Sequence, residues 1–257
     1  DNKVKQYTYK NFSNIHNYSC ILNKVDTVLH LAAISNELKE NKFNSKKFKN
    51  FNIKFTQKLL NEVKRFKTKR FIYFSTTKVY GEFNDKNNKI FEVFSPKNPQ
   101  TNYSKSKYKS EILISKFCKL HNIEFLIIRM PMVYGKEENK NFRILNNLIK
   151  LGIPLPFNKI VNKKSLLHID NFCDFINKLI FHKNINNNSI ILSDNKSLST
   201  SEIVKGLIKK NKSSNLIFYF PFSKFKILFN IFKLNRSYEK LFMSQYVTNK
   251  VAKNSYN

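Results

Sequence analysis

The sequence predicts an α/β fold built on a parallel sheet, and three observations carry that prediction. Short apolar runs of strand length recur along the chain. Stretches of helical periodicity separate them, giving the alternating order expected of βαβ units. At 257 residues the chain is also long enough to bury a sizeable core, as one large domain or two small ones.

Each element has a local reason. Thr27-Val-Leu-His-Leu-Ala-Ala33 is a short apolar run suited to a buried strand. A helix is expected from Phe48 to Phe66, with Phe51, Phe55, Leu59, Leu60 and Val63 on one face. Phe71 to Ser75 reads as a second buried strand, Asn102 to Leu120 as a helix, and Glu124 to Arg129 as a third strand ended by Pro131. After Gly135 the character changes. A helix from Asn141 to Lys150 leads into the turn-rich Gly152-Ile-Pro-Leu-Pro156. Ser165 to Ile169 is strand-like, and Asp170 is expected to N-cap a helix reaching Phe181. Asn184 to Asn188 reads as a polar loop before the strand Ile190 to Leu192. Ser199-Thr-Ser-Glu202 has capping-box spacing, which starts a helix running to Lys210. Pro221 to Lys233 reads as a last helix, and the Asn/Lys-rich stretches 84–89 and 183–188 as surface loops.

The formal charge of +30 invites a nucleic-acid reading. Yet the lysines run along the whole chain, and Asn, Ile and Phe are abundant while Ala and Gly are scarce. That pattern is a drift toward AT-rich codons, so a nucleic-acid partner is disfavoured. A basic field still attracts an anionic substrate such as a nucleotide diphosphate. Cys20, Cys118 and Cys173 are odd in number and lack metal-ligand spacing, so neither zinc nor a disulfide framework is expected. Leu216 to Phe232 is broken by Pro221, Lys224 and Lys226, too short and too charged to span a bilayer. No signal peptide is evident, and a soluble, cytoplasmic protein is expected. The start at Asp1 suggests a fragment or a processed product.

The most informative stretch is Tyr103-Ser-Lys-Ser-Lys107. On a helix the i and i+4 positions share a face, so the phenol and the ammonium point the same way. A cation near a phenol favours phenolate and lowers a pKa of about 10. A hydroxyl from Ser75 or Thr76, at the end of the preceding strand, is placed to hold a substrate oxygen beside it. Together these groups make a proton-transfer site for oxidising an alcohol or reducing a ketone.

Several segments in order resemble the extended short-chain dehydrogenase/reductases, in their nucleotide-sugar epimerase and reductase branch. They are Val25 to Ala33, Phe51 to Thr56, Phe74-Ser-Thr-Thr-Lys-Val-Tyr-Gly81, Pro99 to Lys107, Ile128-Arg-Met-Pro-Met-Val-Tyr-Gly135 and His168-Ile-Asp170. The resemblance implies a Rossmann-like doubly wound sheet, with a partial dinucleotide-binding domain over 1–136. It implies a smaller, mainly substrate-binding portion over 137–257, interleaved with the last sheet elements. It implies NAD or NADP as cofactor, a UDP-sugar as substrate, no metal, and a homodimer through the helices after Phe48 and Asn102.

Roles follow residue by residue. Tyr103 matches the family's acid/base, Lys107 its partner on the nicotinamide ribose, and Thr76 the hydroxyl that binds the C4 oxygen. Leu31, Ala32, Ala33, Asn52, Ser75, Met130 and Pro131 join Tyr103 and Lys107 around the cofactor. Thr76, Lys78, Asn141 and Lys164 fall on the substrate side, Lys164 where the family often carries a diphosphate-binding arginine. His168 reads as a strand residue. The family's first strand and Gly-x-x-Gly-x-x-Gly turn have no counterpart among Gly81, Gly135, Gly152 and Gly206, so the first βα unit is missing and both ends read as truncated. Where the family's dehydratases carry an Asp-Glu pair, this chain has Thr77 and Lys78, which disfavours water elimination. The expected chemistry is redox at C4 of a UDP-hexose or UDP-N-acetylhexosamine, by an epimerase or a 4-keto reductase. The alternatives are an RNA-binding family member without catalysis and an inactive fragment.

Overall fold

The computed structural model describes residues 25–34, 42–84, 90–135, 140–183, 185, 188–221, 224, 226, 230, 235–250 and 252. Its strands are β1 (Thr27–His30), β2 (Arg70–Thr76), β3 (Glu124–Met130), β4 (Met132–Tyr134), β5 (Leu166–His168) and β6 (Asn188–Ile191). Its helices are α1 (Lys42–Phe48), α2 (Phe55–Arg65), α3 (Asn102–Leu120), α4 (Lys140–Lys150), α5 (Ile169–Phe181), α6 (Thr200–Lys210) and α7 (Asn235–Phe242). The main sheet has the order β1-β2-β3-β6, and β4 pairs with β5 in a second, two-stranded sheet. β1 runs parallel to β2 with Thr27 opposite Arg70 and His30 opposite Tyr73. β4 and β5 are likewise parallel, Met132 opposite Leu166. The expected α/β class with parallel pairing is what the chain adopts.

The chain divides into two compact units. The first comprises 1–75, 101–127 and 184–188; the second comprises 76–100, 128–183 and 189–257. In the first, Leu59, Leu60 and Val63 of α2 and Ile114 and Cys118 of α3 pack on Phe71, Tyr73, Phe125 and Ile127. Ile72, Phe74 and Leu126 alternate with these and are also buried, as strands covered on both faces require. In the second unit Ile149 of α4, Val204 and Leu207 of α6 and Phe242 of α7 enclose Leu155, Phe157 and Ile160. There the Arg129 guanidinium donates to the Tyr80 hydroxyl (2.8 Å), the Val93 carbonyl (3.1 Å) and the Ser189 hydroxyl (3.2 Å). One buried cation thus joins three stretches of chain.

Several boundaries move for identifiable reasons. β1 stops at His30, and Leu31 to Ile34 leave the sheet; Leu31 is 56% exposed rather than core. The helix expected from Phe48 to Phe66 is interrupted by a π-helical turn, Lys49–Lys54. His168, not Asp170, caps α5: its Nδ1 accepts from the Asp170 N–H at 3.3 Å. Asn188 belongs to β6 rather than to a loop. Asn84 is buried, donating to the Tyr246 carbonyl at 3.1 Å and accepting from the Tyr246 N–H at 2.5 Å. Residues 85–89, and most of the helix expected over 221–233, lie outside the described residues.

Four helices end in the same hydrogen-bond pattern, a 6→1 bond closing over a 5→2 bond, with a residue of positive φ between. Gly152 (φ 71°) fills that place after α4. Lys67 (φ 53°), Asn122 (φ 52°) and Lys212 (φ 51°) fill it after α2, α3 and α6. Gly135 is needed for another reason: a Cβ there would lie 2.3 Å from the Ile169 Cγ2.

Candidate active site

Helix α3 begins where its sequence says it should. Thr101 is the N-cap, its hydroxyl accepting from the Ser104 N–H at 3.2 Å, while the Ser104 hydroxyl accepts from the Thr101 N–H at 3.0 Å. That reciprocal box puts Tyr103 in the first helical turn, where unpaired backbone N–H groups point toward the terminus. Tyr103 is half-buried, with the Phe48 ring 6.3 Å away.

One turn on, Lys107 is 2% exposed and its ammonium lies 4.0 Å from the centroid of the Tyr73 ring. Burial drives its pKa down from the ordinary lysine range to about 7, against a pull upward from the Glu111 carboxylate. Burial pushes the Tyr73 phenol far up; the Ser110 hydroxyl, which would lower it, is occupied by the Asn52 and Ser106 carbonyls at 2.8 and 3.1 Å. A neutral Tyr73 therefore presents a ring face, not a charge, to the ammonium.

Asn52 links this helix to the loop after β1. Its Oδ1 accepts from the Ile34 N–H at 2.8 Å, and its amide donates to the Ile34 carbonyl at 3.2 Å and to the Ser106 hydroxyl at 2.8 Å. Ser106 donates onward to the Tyr103 carbonyl at 2.7 Å. Asn52 thus uses its whole amide on protein groups, holding the Leu31–Ile34 loop in register with the turn that carries Tyr103. Asn52, expected beside the cofactor, clamps the loop after β1 to α3. The Asn52 carbonyl in turn accepts from the Thr56 hydroxyl at 2.7 Å. Having given its one proton there, Thr56 accepts from His30 Nε2–H at 2.8 Å, which fixes the histidine as the Nε2 tautomer. Burial, helped by the Lys107 charge, lowers the His30 pKa to about 3, so the imidazole is neutral.

Ser75 and Glu111 complete the first unit's polar set. Ser75, 3% exposed, donates to Glu111 Oε1 at 2.5 Å, and Glu111 is 2% exposed. Glu111 was not anticipated, although Tyr103, Lys107 and Glu111 fall at i, i+4 and i+8 on one helical stripe. That spacing was the available signal.

The remaining candidates belong to the second unit. Thr76 is 8% exposed, and its hydroxyl accepts from the Lys78 N–H at 3.3 Å, capping a 3₁₀ turn over Thr77–Val79. The Lys78 ammonium pairs with Glu82 at 2.9 Å. Met130 ends β3, and Pro131 is buried between β3 and β4. The Lys164 ammonium donates to the Met243 carbonyl at 2.9 Å, and burial lowers its pKa to about 8; it serves the protein backbone rather than presenting an open charge. Asn141 lies in the first turn of α4, and its side chain is outside the described residues. A cleft of about 410 Å³ in this unit, lined in part by Asn171, Asp174, Lys178, Asp194 and Asn249, contains none of the candidates. Among the described residues no cluster of His, Cys, Asp and Glu suits a metal ion, and no helix is long and apolar enough to cross a membrane.

Residues 3–191 match the NAD dependent epimerase/dehydratase family. The chain belongs to that family. Among curated relatives, it is 36% identical over 147 residues to a Vibrio cholerae UDP-glucose 4-epimerase, covering 54% of this chain and 42% of the relative. It is 34% identical over 156 residues to a Dictyostelium discoideum dTDP-D-glucose 4,6-dehydratase, covering 56% and 33%. The match thus spans less than half the length of these relatives. The fold resembles that of a Bacillus cereus UDP-glucuronic acid 4-epimerase solved with NAD, at a TM-score of 0.75 and 22% identity, covering 96% of this chain and 74% of that one. The family's Rossmann-type architecture, expected from sequence, is therefore the architecture of this chain.

Proposed function

We propose that this chain carries the proton-transfer half of a nucleotide-sugar enzyme working by oxidation and reduction at C4 of a UDP-hexose or UDP-N-acetylhexosamine, with NAD or NADP. The observation that carries the reading is a half-buried Tyr103 one helical turn from an ammonium that burial has brought to about neutral pKa. A catalytic acid/base works best when such groups titrate near the operating pH.

The residues present fit the nicotinamide and ribose end of the dinucleotide. Ligands of open α/β sheets bind beyond the carboxyl ends of the strands. There, after β1, Leu31 stands 56% exposed, followed by the small Ala32 and Ala33. Among the described residues no acceptor bonds to the Lys107 ammonium, which leaves it for ribose hydroxyls. A dinucleotide held there would supply hydride transfer. Tyr103, as phenolate, takes the proton from the C4 hydroxyl and gives it back when the ketone is reduced. Lys107 favours the phenolate by its charge. Ser75 works from behind, since its proton is committed to Glu111. Thr77 and Lys78 offer no carboxylate for water elimination, which supports C4 redox chemistry over dehydration.

The test is turnover of UDP-glucose, UDP-N-acetylglucosamine and a UDP-4-keto-6-deoxyhexosamine with NAD(P)H. A C4 epimer without net cofactor consumption identifies an epimerase; stoichiometric consumption with the keto sugar identifies a reductase. Tyr103→Phe is expected to lower kcat by about 10²–10⁴-fold. Failure of every sugar, with no dinucleotide bound and steeply salt-dependent RNA binding, would replace this reading with a nucleic-acid one.

A further inference from the structure

Tyr103, Lys107 and Glu111 occupy successive turns of one stripe on α3, and the last two are each 2% exposed. A carboxylate so deep in the first unit needs a reason, because an ionised carboxyl is costly to bury without partners. One partner is on the strand that α3 packs against: the Ser75 hydroxyl, donating at 2.5 Å from near the carboxyl end of β2. One turn back along the helix lies Lys107, on whose ammonium the Glu111 carboxylate acts. No step of the proposed chemistry uses Glu111 directly.

We propose that Glu111 is a positioning residue of the active site, serving as the buried counter-charge of Lys107 and, through Ser75, as the tie between α3 and the end of β2. The inference rests on the reading of Tyr103 and Lys107 as the acid/base pair. The other groups facing Lys107 leave this role to Glu111 among the described residues. From β1 comes His30, which is neutral; from β2 comes Tyr73, kept in its phenol form with its ring 4.0 Å from the ammonium; the π-helical turn and α2 set only the uncharged Asn52 and Thr56 against Ser106 of α3. Glu111 is thus the anion that offsets the burial of the ammonium. Without it the amine loses its proton at lower pH, and the charge that favours Tyr103 phenolate is lost with it.

Glu111→Gln tests the charge and keeps an oxygen for Ser75. An opposite charge nearby is worth about 1–3 pKa units, so the Lys107 titration is expected to fall by about one unit. The loss of kcat should then be largest near pH 8 and shrink toward pH 6. Ser75→Ala removes the tie and leaves the charge; it should lower kcat equally at all pH. A second readout needs no turnover. Lys107 is protonated more readily unfolded than folded, so it adds stability as pH rises from its folded to its unfolded pKa. Comparing thermal melts with and without Lys107→Met, first in the otherwise unaltered chain and then in the Glu111→Gln variant, isolates that limb. In the Glu111→Gln variant it should begin about one pH unit lower. A limb that does not move overturns the proposal whether or not any sugar is turned over. A moving limb with no turnover of any sugar leaves Glu111 as the counter-charge and removes the proposed reaction instead.

Discussion

Each unit buries an asparagine clamp and a lysine below its ordinary pKa, and the two units use them differently. In the second unit Asn162 donates to Leu241 and Met243 carbonyls, at 2.9 and 3.2 Å, and Lys164 donates to that same Met243 carbonyl. Both polar side chains hold backbone there. In the first unit Asn52 is equally spent, but Lys107 is not: it rests on an aromatic face with a carboxylate one turn away. A buried lysine given a carbonyl is a structural device. One left without an acceptor keeps its donors for something that arrives later.

The comparison breaks if the two clamps or the two lysines respond alike. Lys107→Met is expected to raise stability at pH 6 by on the order of 2–4 kcal/mol, because it removes an ammonium that folding must desolvate. The gain should vanish by about pH 10, where the unfolded lysine also begins to lose its proton, while turnover is abolished throughout. Lys164→Met should gain less at pH 6 and keep turnover, since it also strips the Met243 carbonyl of a donor; a large rise in KM for the sugar nucleotide would instead assign Lys164 to the substrate. Asn52→Leu should cost about 2–4 kcal/mol in chemical denaturation, by stranding the Ile34 backbone groups. The smallest effect should be the same in both units. Lys67→Gly and Lys212→Gly relieve positive-φ strain and should each stabilise by about 0.5–1 kcal/mol in the same melts.

Local rules found what local physics decides. The extent of α3 was read from the sequence, and the start of α6 was legible because Ser199 and Glu202 form the box their spacing promises. The Tyr103–Lys107 pair was legible for the same reason, as an i, i+4 relation. What sequence could not supply lies in long-range partners. Asn84 looked like part of a surface loop, yet its partner is 162 residues away. Lys164 was expected where a diphosphate-binding arginine often stands, and its bond to the Met243 carbonyl was not legible from spacing. His168 displaced Asp170 as cap because a ring nitrogen at a strand end reached the helix first. Glu111 was within reach of spacing alone, and only its burial revealed its weight.

Cys118 has a use beyond packing. It lies at 0% exposure in the core of the first unit, and burial pushes its thiol up to about 12, whereas Cys173 in the second unit is exposed. A thiol that is neither ionised nor reachable is inert to alkylating reagents until the sheet-facing side of α3 opens. The chain therefore contains its own chemical clock for the helix that bears Tyr103 and Lys107: the rate at which Cys118 is labelled is the rate at which that helix lets go.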